Sequence, residues 1–140
     1  PTPRIELGRA LNGIATACLD ISDGLLADLG HIAYASKVSA CINSDDIYLS
    51  DSLVQYCSAS SKVTALDCAL AGGDDYELCF TVPPERLAKI KAVSERCKVR
   101  LTHIGEIAGD NADNNLANVT VVDSAGSLYK PQCKSYEHFN

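Results

Sequence analysis

The chain has 140 residues, 46% of them hydrophobic, with 18 acidic against 12 basic side chains and a net charge of −6. That length is enough for one domain, which buries roughly two-thirds of its unfolded surface. No apolar run approaches the ~20 residues a membrane helix needs, and no lysine- or arginine-rich run offers nucleic acid a basic face, so neither a membrane nor a nucleic-acid partner is expected. Pro1-Thr2-Pro3-Arg4 reads as a linker or a cut end, not as a basic and apolar targeting signal.

In chain order, Leu7, Ala10, Leu11 and Ile14 form one stripe, which predicts a helix over Glu6–Ile14. Thr16–Asp20 reads as a short strand. Leu25, Leu26, Leu29, Ile32 and Ala33 then repeat at helical spacing over Gly24–Ser36, with Ser22 and Asp23 as capping residues. Asp28, one turn in, is read as solvated or in a local pair. Ser39–Asn43 alternates as a strand, and Ser44-Asp45-Asp46 makes a turn. Ser50 is read as the cap of a short helix carrying Leu53, Val54 and Cys57, followed by a loop at Ser58–Ser61 and a helix over Lys62–Ala71 with Leu66, Ala69 and Leu70 inward.

Gly72-Gly73 ends that helix, and Tyr76–Val82 reads as a strand with Leu78, Phe80 and Val82 on one face. Pro83-Pro84 stops it, with Pro84 suited to a first helical position. Glu85–Cys97 is amphipathic through Leu87, Ile90 and Val93, and Val99–Ile107 reads as a strand. Gly109–Ala117 is a polar loop. Val119–Asp123 and Ser127–Tyr129 make a hairpin about Ala125-Gly126, and Pro131–Asn140 has little periodicity. Interleaved helices and strands with a tight hairpin predict an α/β or α+β layered domain, with a mixed sheet flanked by helices, over residues 1–140.

The seven cysteines include no Cys-x-x-Cys pair. Cys18, Cys41, Cys68 and Cys79 lie in apolar stretches and read as small core residues, not as a zinc or disulfide framework. Thiols in this number point to a reducing compartment, the cytoplasm. His31, His103 and His138 are scattered and give no catalytic or metal-binding pattern.

Two stretches concentrate chemistry. In Cys18-Leu19-Asp20-Ile21-Ser22-Asp23-Gly24-Leu25-Leu26, two carboxylates and a hydroxyl occupy a strand-to-helix turn, where oxygen ligands and helix N–H groups suit a hard cation and the phosphates it carries. The same residues also read as an N-cap cluster with a spare surface aspartate. In Gly72-Gly73-Asp74-Asp75-Tyr76-Glu77-Leu78, two glycines permit close backbone approach and two carboxylates precede a strand, which suits a ligand-facing loop. Taken alone, that stretch reads first as a glycine-terminated helix followed by solvated acids.

Together these segments resemble the C-terminal domain of the thiamine-monophosphate kinase family, within the wider aminoimidazole-ribonucleotide synthetase-like proteins. Pro1-Thr2-Pro3-Arg4-Ile5-Glu6-Leu7-Gly8, Asp20-Ile21-Ser22-Asp23-Gly24-Leu25, the Gly72–Leu78 motif, Ile104-Gly105-Glu106-Ile107 and Tyr136-Glu137-His138-Phe139 follow in family order from one end to the other. The resemblance implies phosphorylation of thiamine monophosphate by ATP, with Mg²⁺ as cofactor, in a cytoplasmic enzyme. It implies that Asp20 and Asp23 bind Mg²⁺, that Ser22 contacts ATP, and that Asp74 and Phe139 contact the substrate. Asp75, Tyr76, Gly72 and Gly73 would support that site. Where the family commonly carries Glu, this chain has Asp74, a carboxylate one methylene shorter.

The resemblance also implies an N-terminal domain, outside these 140 residues, that supplies further aspartates, much of the ATP site and the contact of a homodimer. The chain is then expected to hold half an active site and to be inactive alone. Two other readings stay open on sequence: another ATP-using enzyme of the same superfamily, acting on a different phosphate, amide or selenium substrate, or a non-catalytic nucleotide- or metal-binding module.

Overall fold

The computed structural model describes residues 2–59, 63–109 and 119–132. Its helices are α1 (Ile5–Leu11), α2 (Leu25–Ser36), α3 (Asp51–Ala59), α4 (Ala65–Ala71) and α5 (Ala88–Cys97). The strands are β1 (Ala17–Asp20), β2 (Ser39–Asn43), β3 (Leu78–Thr81), β4 (Gly105–Ala108) and β5 (Val119–Val122). Single 3₁₀ turns occupy Ser44–Asp46 and Pro84–Arg86, the latter with proline at its start as the fixed φ of that ring favours.

The strands form two sheets among the described residues. β1 and β3 pair antiparallel as a ribbon, with Asp20 opposite Leu78 and Ala17 opposite Thr81. In the second sheet, β2 lies between an antiparallel β4 and a parallel β5, so this sheet is mixed, as expected. The hairpin after β5 also forms: the Asp123 N–H donates to Ser127 C=O and the Tyr129 N–H to Val121 C=O.

Among the described residues, two hydrophobic clusters hold the fold. Leu25, Leu29 and Ile32 of α2 pack with Ala40 and Ile42 of β2, Leu70 of α4 and Val121 of β5. Leu7 and Leu11 of α1 pack with Val93 of α5. The ribbon lies between them because strand side chains alternate. Cys79 of β3 faces the first cluster, whereas Leu78 and Phe80 face the second. Fully burying a Leu or Ile contributes roughly 1.5–3 kcal/mol, which gives Ile42 and Leu70, at 1% and 0% exposure, a large share of the first cluster's stability.

Several local expectations are corrected. Cys18 is exposed, because the same alternation that turns Ala17 and Leu19 inward turns Cys18 and Asp20 out. The expected strand at Tyr76 starts only at Leu78; Tyr76 takes a positive φ of 54°, outside the extended region of a regular strand. Residues 99–104 form no strand; Val99 and Leu101 pack on the second cluster and Ile104 on the first, so the segment crosses between them before β4. Leu87 is 46% exposed, because α5 begins one residue later. Ser58 is helical, its hydroxyl donating to the Val54 carbonyl at 2.7 Å.

α4 carries a charged group that sequence periodicity did not single out. Asp67 is fully buried, at 0% exposure. Its carboxylate closes a capping box with Thr64 and accepts from the Tyr129 hydroxyl and the Gln132 N–H, each at 3.0 Å. Burial pushes its pKa up, but the hydrogen bonds from Thr64, Gln132 and Tyr129 outweigh burial and hold it below the ordinary 3.8. Asp67 thereby fastens the hairpin to α4.

Candidate active-site half

Both acidic motifs arrive at one end of the ribbon. β1 runs out at Asp20 into the turn Ile21–Asp23, and the loop 72–77 enters β3 beside it. The backbone continues the pairing past the ribbon. The Ile21 N–H donates to Glu77 C=O at 2.8 Å, the Tyr76 N–H to Ile21 C=O at 2.8 Å, and the Asp74 N–H to Ser22 C=O at 2.9 Å. Motifs about fifty residues apart in sequence thus form one hydrogen-bonded surface.

Two glycines make this approach possible. A Cβ at Gly73 would sit 2.5 Å from the Ser22 carbonyl oxygen. Gly24 has a φ of 108°, and a Cβ there would lie 2.9 Å from the Ala71 carbonyl oxygen at the end of α4. Gly24, not Ser22 or Asp23, is the residue that precedes α2, and it provides no side-chain cap.

The capping relation runs the other way. Asp28, in the first turn of α2 and only 5% exposed, reaches back with Oδ2 to accept from the Ser22 N–H at 2.8 Å and the Asp23 N–H at 3.0 Å. Of the two readings of Asp28, the local pair holds and the solvated one does not. The two amides are therefore already engaged by a carboxylate, and they are not free to donate to a phosphate.

Asp20 is exposed on β1, and Ser22 and Asp23 are partly buried in the turn. Asp74 and Asp75 are exposed in the facing loop. Asp74 adopts a φ of 66° and accepts from the Tyr76 hydroxyl at 3.1 Å. That bond and the Asp74 charge, with burial and the charges of Asp20 and Asp23, hold the Tyr76 phenol above its ordinary pKa. Burial first, then the Glu77 and Asp74 charges, raises the Asp75 pKa. Asp20, Asp74 and Asp75 have no lysine or arginine in salt-bridge range among the described residues; the ion pairs there are Arg4–Glu77, at 2.5 Å, and Glu6–Arg9. Among the described residues, Asp20, Asp74 and Asp75 thus carry exposed carboxylates on one surface, an arrangement that a bound cation would relieve.

His31, which sequence reading left unassigned, lies here. Single donor atoms of Asp23, Asp28 and His31 fall within 4.8 Å of one another. The signal was present in the sequence as helical spacing: Asp28 and His31 are three apart and share a face of α2. Hard carboxylate oxygens from Asp20 and Asp23 suit Mg²⁺, whereas Asp28 already commits one oxygen to the backbone. Phe139 and the rest of Tyr136-Glu137-His138-Phe139 lie outside the described residues.

Comparison with known proteins shows the family to which this domain is similar. The model of the family described as AIR synthase related protein, C-terminal domain, matches residues 2–114. The thiamine-monophosphate kinase of Haemophilus influenzae is 46% identical over 107 residues, 76% of this chain and 32% of its own length. That of Salmonella typhimurium is 38% identical over 139 residues, 99% of this chain and 40% of its own. The solved structure of AaThiL complexed with AMPPCP and TMP superposes with a TM-score of 0.75 at 34% identity, covering 99% of this chain and 38% of that one. The chain thus spans two-fifths or less of the length of these relatives.

Proposed function

Because the chain belongs to the AIR synthase related protein family, through that family's C-terminal domain, we propose that it supplies half of the active site of a thiamine-monophosphate kinase. The reaction is transfer of the terminal phosphoryl group of ATP to the phosphate of thiamine monophosphate, giving thiamine diphosphate. The observation that carries this reading is the hydrogen-bonded junction of the turn Ile21–Asp23 with the loop 72–77, which gathers Asp20, Asp23, Asp74 and Asp75 on one surface. A relative at 34% identity was solved with AMPPCP and TMP, which supports a nucleotide and a phosphorylated substrate as the ligands.

Phosphoryl transfer depends on positioning and charge neutralisation more than on covalent chemistry. Asp20 and Asp23 would hold Mg²⁺, and Ser22 would contact ATP. Mg²⁺, when bound, offsets the charge of the phosphates. Asp74 and Phe139 would orient the thiamine substrate, with Asp75, Tyr76, Gly72 and Gly73 shaping the loop beneath it. The attacking group is a phosphate oxygen already anionic at pH 7, so the chain needs no strong general base. The second domain of a longer polypeptide would complete the ATP site, and the complete enzyme would work as a cytoplasmic homodimer.

The test is thiamine diphosphate formation from ATP and thiamine monophosphate with Mg²⁺. The full-length protein carrying this domain should turn over, whereas the 140-residue chain alone should not. Turnover by the isolated chain, abolished by heating it, would overturn the half-site; a full-length protein that binds nucleotide but forms no product would make this a binding module.

A further inference from the structure

Away from the acidic surface, two thiols meet. Cys57 on α3 and Cys68 on α4 lie with their sulfurs 3.8 Å apart, both partly buried. The residues are 11 apart in sequence, too far for a Cys-x-x-Cys pattern, so only the packing of α3 against α4 brings them together.

The two helices are held unequally. α4 buries Leu70, Ala71 and the hydrogen-bonded Asp67, and so is fixed in the core. α3 buries no residue. A disulfide requires the sulfurs to approach to about 2.05 Å. A helix with no buried residue can make that shift without disturbing the first cluster.

Two other thiols near the ribbon are less reactive. Burial, with the Asp20 charge, raises the Cys18 pKa. Burial, with the charges of Cys18 and Asp28, pushes Cys79 up to about 11. Since the thiolate is the nucleophile, both are poor first targets for an oxidant.

We propose that Cys57 and Cys68 are an oxidisable pair that closes to an intramolecular disulfide under peroxide, tying α3 to α4. The thiolate of one attacks the O–O bond of hydrogen peroxide, giving a sulfenic acid and, after proton transfer, one water. The thiol of the other attacks that sulfur, forming the S–S bond and releasing a second water. Two thiols and one peroxide thus give one disulfide and two waters, and dithiothreitol reverses the change. The pair stands independently of the reaction assigned to the acidic surface.

The test treats the reduced, full-length protein with hydrogen peroxide, alkylates the remaining thiols and maps the peptides without reduction. The expected result is a linked Cys57–Cys68 peptide lighter by two hydrogens, two fewer titratable thiols per chain, and recovery of both by dithiothreitol. Hydrogen exchange in 51–59 should slow in the oxidised protein. Cys57→Ser should lose the link and leave Cys68 as a sulfenic acid trapped by dimedone. Cys57 and Cys68 both alkylated while other cysteines oxidise, or either linked to a different cysteine, would overturn the proposal. Mapping the unmodified protein keeps that outcome readable even if a serine variant folds poorly.

Discussion

Replacing Asp28 tests how the acidic turn is held. In the full-length protein, Asp28→Asn keeps an oxygen where Oδ2 accepts from the Ser22 and Asp23 N–H groups at 2.8 and 3.0 Å, but removes its charge. Charge-assisted bonds are roughly twice as strong as neutral ones, and each contributes about 1.5–3 kcal/mol. Losing half of two such bonds, at a carboxylate only 5% exposed, costs about 1.5–3 kcal/mol. That lowers the melting temperature by roughly 2–4 °C in a protein of the relatives' size, from an unfolding entropy of about 2.1 cal/mol/K per residue. Asp28→Ala leaves both N–H groups without a partner and should cost about 2–4 kcal/mol. The turn positions Ser22 and Asp23, so the asparagine variant should also lose roughly tenfold in kcat/KM. Melting curves and steady-state kinetics across a Mg²⁺ titration give the assay. An Asp28→Asn variant with an unchanged melting temperature and a large, Mg²⁺-rescued loss of activity would refute this reasoning, and would make Asp28 a ligand beside Asp23 and His31.

Asp23→Asn should show mainly a catalytic effect, an activity loss on the order of 10²–10³-fold that higher Mg²⁺ partly restores. Gly73→Ala forces a Cβ to within 2.5 Å of the Ser22 carbonyl oxygen and should cost about 1–3 kcal/mol while separating the two motifs, read as a lower melting temperature together with lost turnover. Asp67 is held below its ordinary 3.8 when folded, so its contribution to stability is complete above that value and is lost as pH falls through the lower folded value. Unfolding free energy measured from pH 6 down to pH 2 should show that acid-side loss, and it should be smaller in Asp67→Asn. Phe139→Ala should raise the KM for thiamine monophosphate several-fold and leave that for ATP unchanged, from an aromatic contact of roughly 0.5–1.5 kcal/mol; a lowered melting temperature with unchanged kinetics would make it a core anchor instead.

Local periodicity carried most of the element assignments, because Leu25, Leu29 and Ile32, or Ala40 and Ile42, bury the faces their spacing names. The two acidic motifs were legible for the same reason: glycine and aspartate mark the turns between buried elements. What stayed hidden depends on partners distant in sequence. Asp67 is read as one more polar helix residue until Tyr129 and Gln132, more than sixty positions later, close over it. The division into two sheets was equally invisible, since nothing in one strand states which strand it will pair with. The strand expected at Tyr76 failed for a conformational reason, a left-handed backbone at a tyrosine, which composition alone does not reveal. Asp28 was ambiguous because an aspartate one turn into a helix is ordinarily wet, and only the backward reach to Ser22 and Asp23 buries it.

The ribbon between the two clusters has a consequence for inheritance. Leu78 and Phe80 belong to one cluster and Cys79 to the other. Deleting one residue from β3 would send each side chain to the wrong side and, in the same event, move Glu77 and Tyr76 out of step with Ile21. Descendants of this sequence can therefore exchange side chains in the acidic loops and change ligand reach gradually. They cannot change the number of residues in the ribbon without losing both the packing and the alignment of the loops at once.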